Sequence, residues 1–133
     1  MDKILLIILV NLVFFFKTLR YGFVSDDEFR VQETKKDIIN PVNIIKSLFG
    51  KVILNSEVEH LLSLLVHTVT CIMIYFAFGM NSISLMASLL FAVNPATYQG
   101  GIWISGRGYA LSTIAILLAM IMGNWGIIPY ALS

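Results

Sequence analysis

From residue 60 to residue 133 the chain carries one charged side chain, Arg107, set among long apolar runs. A soluble fold needs charge on its surface, and soluble domains average about 25% charged residues. This chain of 133 residues has 13% charged and 58% hydrophobic residues, so the class it points to is a membrane protein. At about 20 residues per spanning helix, the length allows three or four spans. The expected architecture is all-α: an integral membrane helical bundle of about four transmembrane helices, with an interfacial amphipathic helix in the first loop. The formal net charge is +1, and the basic residues are interleaved with acids. Nothing in that balance points to nucleic acid. The single Cys71 excludes an internal disulfide.

The spans read as residues 4–24, 57–78, 82–95 and 108–123, in one membrane domain. The run Ile4–Phe16 has the look of a signal-peptide core behind Lys3. Lys17-Thr18-Leu19-Arg20 follows where a small-residue cleavage site would stand, so it reads as an uncleaved first span. Residues 25–56 form a charged loop. Within it Asn40-Pro41 is a helix start, with Asn capping and Pro at the first helical position. Ile45, Leu48, Phe49, Val52 and Ile53 then fall at helical spacing, with Lys46 and Lys51 off the stripe. Such a helix either lies in the membrane interface or packs on protein.

Ser56-Glu57-Val58-Glu59 has the spacing of a capping box opening the second span. Asn81-Ser82 starts a third helix, which Pro95 must end near Asn94. Its Ser84, Ala87, Ser88 and Ala92 suit close helix packing. Tyr98 and Trp103, in the Gly-rich turn that follows, are typical of the membrane–water boundary.

Three groups of residues could carry chemistry. Asp26-Asp27, just past the first span, is either a solvated loop pair or a carboxylate site, serving as general base or as ligand to a divalent metal. His60, Ser63, His67 and Thr70 lie on one face of the second span. Polar groups at membrane depth face protein or a watery cavity, so this stripe marks a buried face and favours helix-to-helix hydrogen bonding. The i, i+7 spacing of the two histidines is too long for a chelating pair, and no metal site is assigned to the stripe. Arg107, bracketed by glycines, is either a snorkelling anchor or a fork of donors for a lipid phosphate.

Together these segments resemble a known family. Phe23-Val24-Ser25-Asp26-Asp27 is similar to the acidic pair after the first span of C-type (GT-C) multi-spanning glycosyltransferases. The nearest likeness is to the tetratricopeptide-linked transmembrane O-mannosyltransferases and their bacterial relatives. His60-Leu61-Leu62-Ser63-Leu64-Leu65-Val66-His67 resembles that family's H-L-x-N-x-x-x-H segment. Leu89-Leu90-Phe91-Ala92-Val93-Asn94-Pro95 and Trp103-Ile104-Ser105-Gly106-Arg107 resemble its L-F-A-x-H-P and W-I-S-G-R elements. The chain differs at Asn94, in place of the family's His, at Ser63, in place of Asn, and at Gln99, where Glu is frequent.

The likeness covers residues 20–120 and the N-terminal part of the family's fold. It implies transfer of a sugar from a polyprenyl- or dolichyl-phosphate donor at the extracytoplasmic face of the plasma, inner or endoplasmic reticulum membrane. In that reading Asp26 and Asp27 are the catalytic acids and Arg107 contacts the donor phosphate. A partner polypeptide would supply the missing spans. The alternative is a small non-enzymatic membrane protein, a subunit or lipid-binding partner. Topology pulls the other way from the family. Lys17, Arg20, Arg30, Lys35, Lys36, Lys46 and Lys51 all lie in or beside the first loop. The positive-inside rule puts such a loop in the cytoplasm, where the family has it outside.

Overall fold

In a computed structural model of the chain, residues 2–20, 39–49, 54–97 and 106–123 are described. They contain helices and turns and no strand. Helix α1 (Lys3–Phe15) continues as a 3-10 turn, Phe16–Arg20. Then come α2 (Pro41–Leu48), α3 (Ser56–Ala77), α4 (Ser82–Val93), a 3-10 turn at Pro95–Thr97, and α5 (Arg107–Ile121).

Local chemistry sets several boundaries where the sequence put them. Asn40 caps α2 by accepting from the Asn43 amide at 2.8 Å, with Pro41 at the first helical position. At α4 the Asn81 side chain accepts from Ser84 N while Ser84 Oγ accepts from Asn81 N, a reciprocal capping box. Asn94, before Pro95, ends α4 in extended geometry.

The start of α3 corrects the expected Ser56–Glu59 box. The cap is Asn55, one residue earlier, whose side chain accepts from Val58 N at 2.9 Å. Glu59 reaches past the cap, accepting from the Leu54 amide, and turns its carboxylate toward groups far away in sequence.

Helix α3 is the hub, with α1, α4 and α5 all packed on it and α1 also on α4. Where α1, α3 and α4 meet, Ile7, Cys71, Tyr75 and Ala92 form a buried cluster. Nearer the start of α3, Phe15 and Leu64 form a second, with Leu19 against it. The small-residue face of α4 is turned inward: Ser84, Ser88 and Ala92 are fully buried and Ala87 is half-buried. Ser88 Oγ donates to the Cys71 carbonyl of α3 at 2.7 Å. Small side chains let the two backbones approach closely enough for this hydroxyl to reach a carbonyl on the neighbouring helix.

One described helix, α3 at 22 residues, is long and apolar enough to cross a membrane. Helices α1, α4 and α5 have 13, 12 and 15 residues. At about 1.5 Å per residue each is shorter than a hydrocarbon core of about 30 Å. The expected first span runs on through residues 21–24, which lie outside the described residues, as do Tyr98 and Trp103.

Polar and apolar groups are distributed in an unusual way. Asn11, Glu59, His67, Ser88 and Arg107 are buried, while Val13, Ile83, Leu90 and Met120 are more than half exposed. In α2 the expected stripe faces outward too. Ile45 and Phe49 are exposed and Leu48 half-buried, while Ser47 is the residue turned inward. Val52 and Ile53 lie outside the described residues.

Candidate functional site: a buried arginine cluster

At the N-terminal end of α3, side chains from three helices converge. Glu59 sits in the first turn of α3, where a carboxylate is favoured by the helix dipole. Arg107 is the first residue of α5, where a cation is disfavoured by the same effect. Gly106, its N-cap, has no side chain to satisfy the helix end. Arg107 therefore depends on a specific anion, and it has one: Nη2 is 2.8 Å from Glu59 Oε2.

The rest of the guanidinium is equally engaged. Its Nε donates to Ser63 Oγ at 3.2 Å, and Nη1 donates to the Ser47 carbonyl and hydroxyl at 2.9 and 3.3 Å. Nη2 also donates to the Glu59 carbonyl at 2.9 Å and approaches Ser63 Oγ at 3.1 Å. A guanidinium has five N–H groups, and each finds a protein acceptor here. The Ser47 hydroxyl in turn lies 2.7 and 2.8 Å from the two Glu59 carboxylate oxygens. Leu54 N donates to Glu59 Oε1. Ser47, Glu59, Ser63 and Arg107 are all at most 2% exposed. The cluster ties α2 and α5 to the start of α3, with the charges paired inside.

The other residues of the expected polar stripe on α3 are also buried. They do different things. Ser63 joins the arginine cluster across helices. His67 lies between Phe15, edge-on at 5.2 Å, and Phe91, stacked at 5.6 Å. Its Nε2 is 4.0 Å from Cys71 Sγ. Thr70 donates back to Val66 O within α3, so it makes a local bond where an interhelical one was expected. His60 is buried beside Glu59 in sequence. Among the described residues no three His, Cys, Asp or Glu side chains gather as a metal site. Asp26 and Asp27 lie outside the described residues.

A surface cavity of about 310 Å³ opens at the same end of α3. Phe16, Leu19 and Leu61 supply apolar walls, and Arg20 and Glu57 supply one charge of each sign. The Arg20 guanidinium lies over the Phe16 ring at 5.9 Å.

Glu59 and Ser47 were not singled out as site residues from the sequence. A signal for Glu59 was present: it and Arg107 are the two charges that bound an uncharged stretch, and charges in apolar surroundings pair. Ser47 had no such signal. No known protein family, curated protein or solved structure matches the chain.

Proposed function

We propose that the chain is a membrane-embedded module of a GT-C-type glycosyltransferase that uses a polyprenyl- or dolichyl-phosphate sugar donor. The observation that carries this reading is the meeting of α2 and the first residue of α5 at the start of α3. Arg107, from the segment similar to W-I-S-G-R, bonds Ser47, from the loop that also carries the acidic pair. The described residues flanking that pair belong to elements at the same end: Arg20 lines a cavity with Glu57, and α2 is held at Glu59. In this reading Asp26 and Asp27 activate or position the acceptor. A cation near the donor phosphate stabilises the leaving group in a low-dielectric place.

The same reading takes α1, α4 and α5 as further membrane helices beside α3. Its support is the outward apolar surface combined with the inward Asn11, Glu59, His67 and Arg107, the arrangement a lipid solvent favours. Since all five N–H groups of Arg107 have protein acceptors, contact with a donor phosphate requires the phosphate to displace Glu59 or Ser47. Short of that exchange, Arg107 is a positioning residue that holds α2 against α3.

That saturation favours a second reading, a non-enzymatic membrane subunit or lipid-binding partner. Transfer of a labelled sugar from a polyprenyl-phosphate donor, in membranes holding the chain with and without candidate partner polypeptides, separates the two. The transferase reading expects Asp26→Asn and Asp27→Asn to abolish transfer. If those variants and Arg107→Ala all leave it unchanged, the site assignment is wrong. Absence of transfer by the wild-type chain in every combination favours the second reading. Cysteine labelling at Ser25 and Ser82 tests orientation: reaction of Ser25→Cys from the cytoplasm alone overturns the extracytoplasmic placement.

A further inference from the structure

We propose that the cavity between the 3-10 turn after α1 and the start of α3 holds the headgroup of a zwitterionic phospholipid, phosphatidylethanolamine, with its phosphate on Arg20 and its ammonium on Glu57. This rests on the membrane part of the proposed function and holds with or without sugar transfer.

The cavity, of about 310 Å³, is lined by Phe16, Leu19, Arg20, Glu57 and Leu61. Its walls come from two elements that pack on each other, the turn Phe16–Arg20 and the first turns of α3. Pockets for small organic ligands start at about 300 Å³, so there is room for a headgroup and not for a whole lipid.

The two charges select the ligand. Arg20 and Glu57 are exposed and opposite in sign, yet they form no ion pair with each other. The Arg20 guanidinium is held over the Phe16 ring instead. A cation and an anion that share an apolar-walled cavity without neutralising each other complement a ligand that carries both charges. A phosphodiester alone would meet Glu57 as a like charge. With an ammonium beside it, both ends are satisfied: the guanidinium donates to phosphate oxygens, and the primary ammonium donates to the carboxylate. Choline brings the positive charge without an N–H to donate.

Helix α3 supplies a track for the acyl chain. Leu61, Leu65, Val69 and Phe76 are 44%, 52%, 45% and 38% exposed. At about 100° per residue they fall within an arc of about 80°, so the exposed stripe begins in the cavity at Leu61 and runs down the helix. Its length is about 22 Å at 1.5 Å per residue, more than one leaflet's share of a hydrocarbon core of about 30 Å. Glu57 stands in the first turn of α3, the described helix long enough to cross a membrane, which places the cavity at headgroup level. A soluble zwitterion would leave the stripe bare, whereas a lipid held by its headgroup covers it.

The test uses the full chain in mild detergent, mixed with equal amounts of phosphatidylethanolamine, phosphatidylcholine, phosphatidylglycerol and polyprenyl phosphate. Native mass spectrometry reads which lipid is retained. Phosphatidylethanolamine should exceed phosphatidylglycerol about fivefold, the size of effect an exposed charge supplies. Glu57→Gln should abolish that preference, and Arg20→Gln should lower retention of every phospholipid about fivefold. Lys17→Gln, a neighbouring exposed cation outside the cavity, should change neither. A phosphatidylethanolamine with a diazirine in mid-chain should label α3 at residues 65–69.

Equal retention of the three phospholipids by the wild type, with α3 still labelled, means a surrounding lipid only and overturns the proposal while the membrane reading stands. An effect of Lys17→Gln equal to that of Arg20→Gln overturns it too, since diffuse surface charge would then suffice. Preference for polyprenyl phosphate overturns the zwitterion assignment. If no lipid is retained and α3 is unlabelled, the membrane reading itself fails.

Discussion

Nη2 of Arg107 lies 2.8 Å from Oε2 of Glu59, with the two side chains 3% and 1% exposed. Taking two charges out of water costs several kcal/mol per ion, which their attraction repays only with good geometry and further hydrogen bonds. Here the additional bonds come from Ser47 on α2 and Ser63 on α3. The pair thus depends on three helices being assembled. Since 48 residues separate the partners, the contact forms only when α3 and α5 pack together.

Removing one partner leaves the other charged and buried. Arg107→Ala and Glu59→Ala should each destabilise the fold by about 3–5 kcal/mol. The double variant Glu59→Leu/Arg107→Met removes both charges at similar volume and should cost clearly less than the two single losses added together. Equilibrium unfolding in detergent micelles measures all of these. Single losses below about 1 kcal/mol would show that the pair is solvated.

Ser47 stands between the two charges, accepting from Arg107 and hydrogen-bonding Glu59. Ser47→Ala removes the hydroxyl and keeps the Ser47 carbonyl that Nη1 also uses. The expected loss is about 1.5–3 kcal/mol, as for hydrogen bonds to charged groups. Because Ser47 is also the buried residue of α2, hydrogen exchange in α2 should accelerate more than in α4. Equal acceleration in the two helices would show that α2 has other attachments.

What could be read from the sequence was what depends on neighbouring residues. Asn40-Pro41, Asn81-Ser82 and Asn94-Pro95 set helix ends through bonds or clashes within three residues, so their positions were legible. The Ser56–Glu59 box was misread for the complementary reason. Its spacing is locally correct, but Glu59 meets Arg107 and Ser47, contacts created by packing. The polar stripe marked the buried face of α3 by periodicity. Periodicity could not say that Ser63 would bond Arg107 while Thr70 bonds its own helix. Similarly, the α2 stripe was visible as a pattern, and which side faced the bundle depended on Ser47 finding Glu59.

The face of α4 toward α3 should tolerate loss of a polar group better than gain of volume. Ser88→Ala gives up one hydrogen bond to Cys71 O and should cost about 0.5–1.5 kcal/mol. Ala92→Leu adds three carbons at a residue with 0% exposure and should cost about 1–3 kcal/mol through overpacking. Thermal unfolding in micelles ranks the two. If Ala92→Leu is neutral, the closeness of the α3–α4 contact is refuted.

The turn from α3 to α4 offers a test in which opposite exchanges, a side chain added and a side chain removed, probe the same left-handed backbone at adjacent residues. Gly79 and Met80 both have positive φ, +87° and +55°. A Cβ at Gly79 would meet Asn81 Nδ2 at 3.7 Å, an ordinary contact, so space is not the obstacle to Gly79→Ala. The obstacle is the left-handed backbone, which should make that variant about 1 kcal/mol less stable. Met80 already bears such strain, with its side chain half exposed and its carbonyl held by Tyr75 Oη at 2.9 Å. Met80→Gly keeps the carbonyl and relieves about 1–2 kcal/mol of strain, against about 0.5–1 kcal/mol of added freedom in the unfolded chain. The result should be neutral to slightly stabilising in unfolding measurements. A clear loss of stability at Met80→Gly would mean that the methionine side chain is needed at this turn.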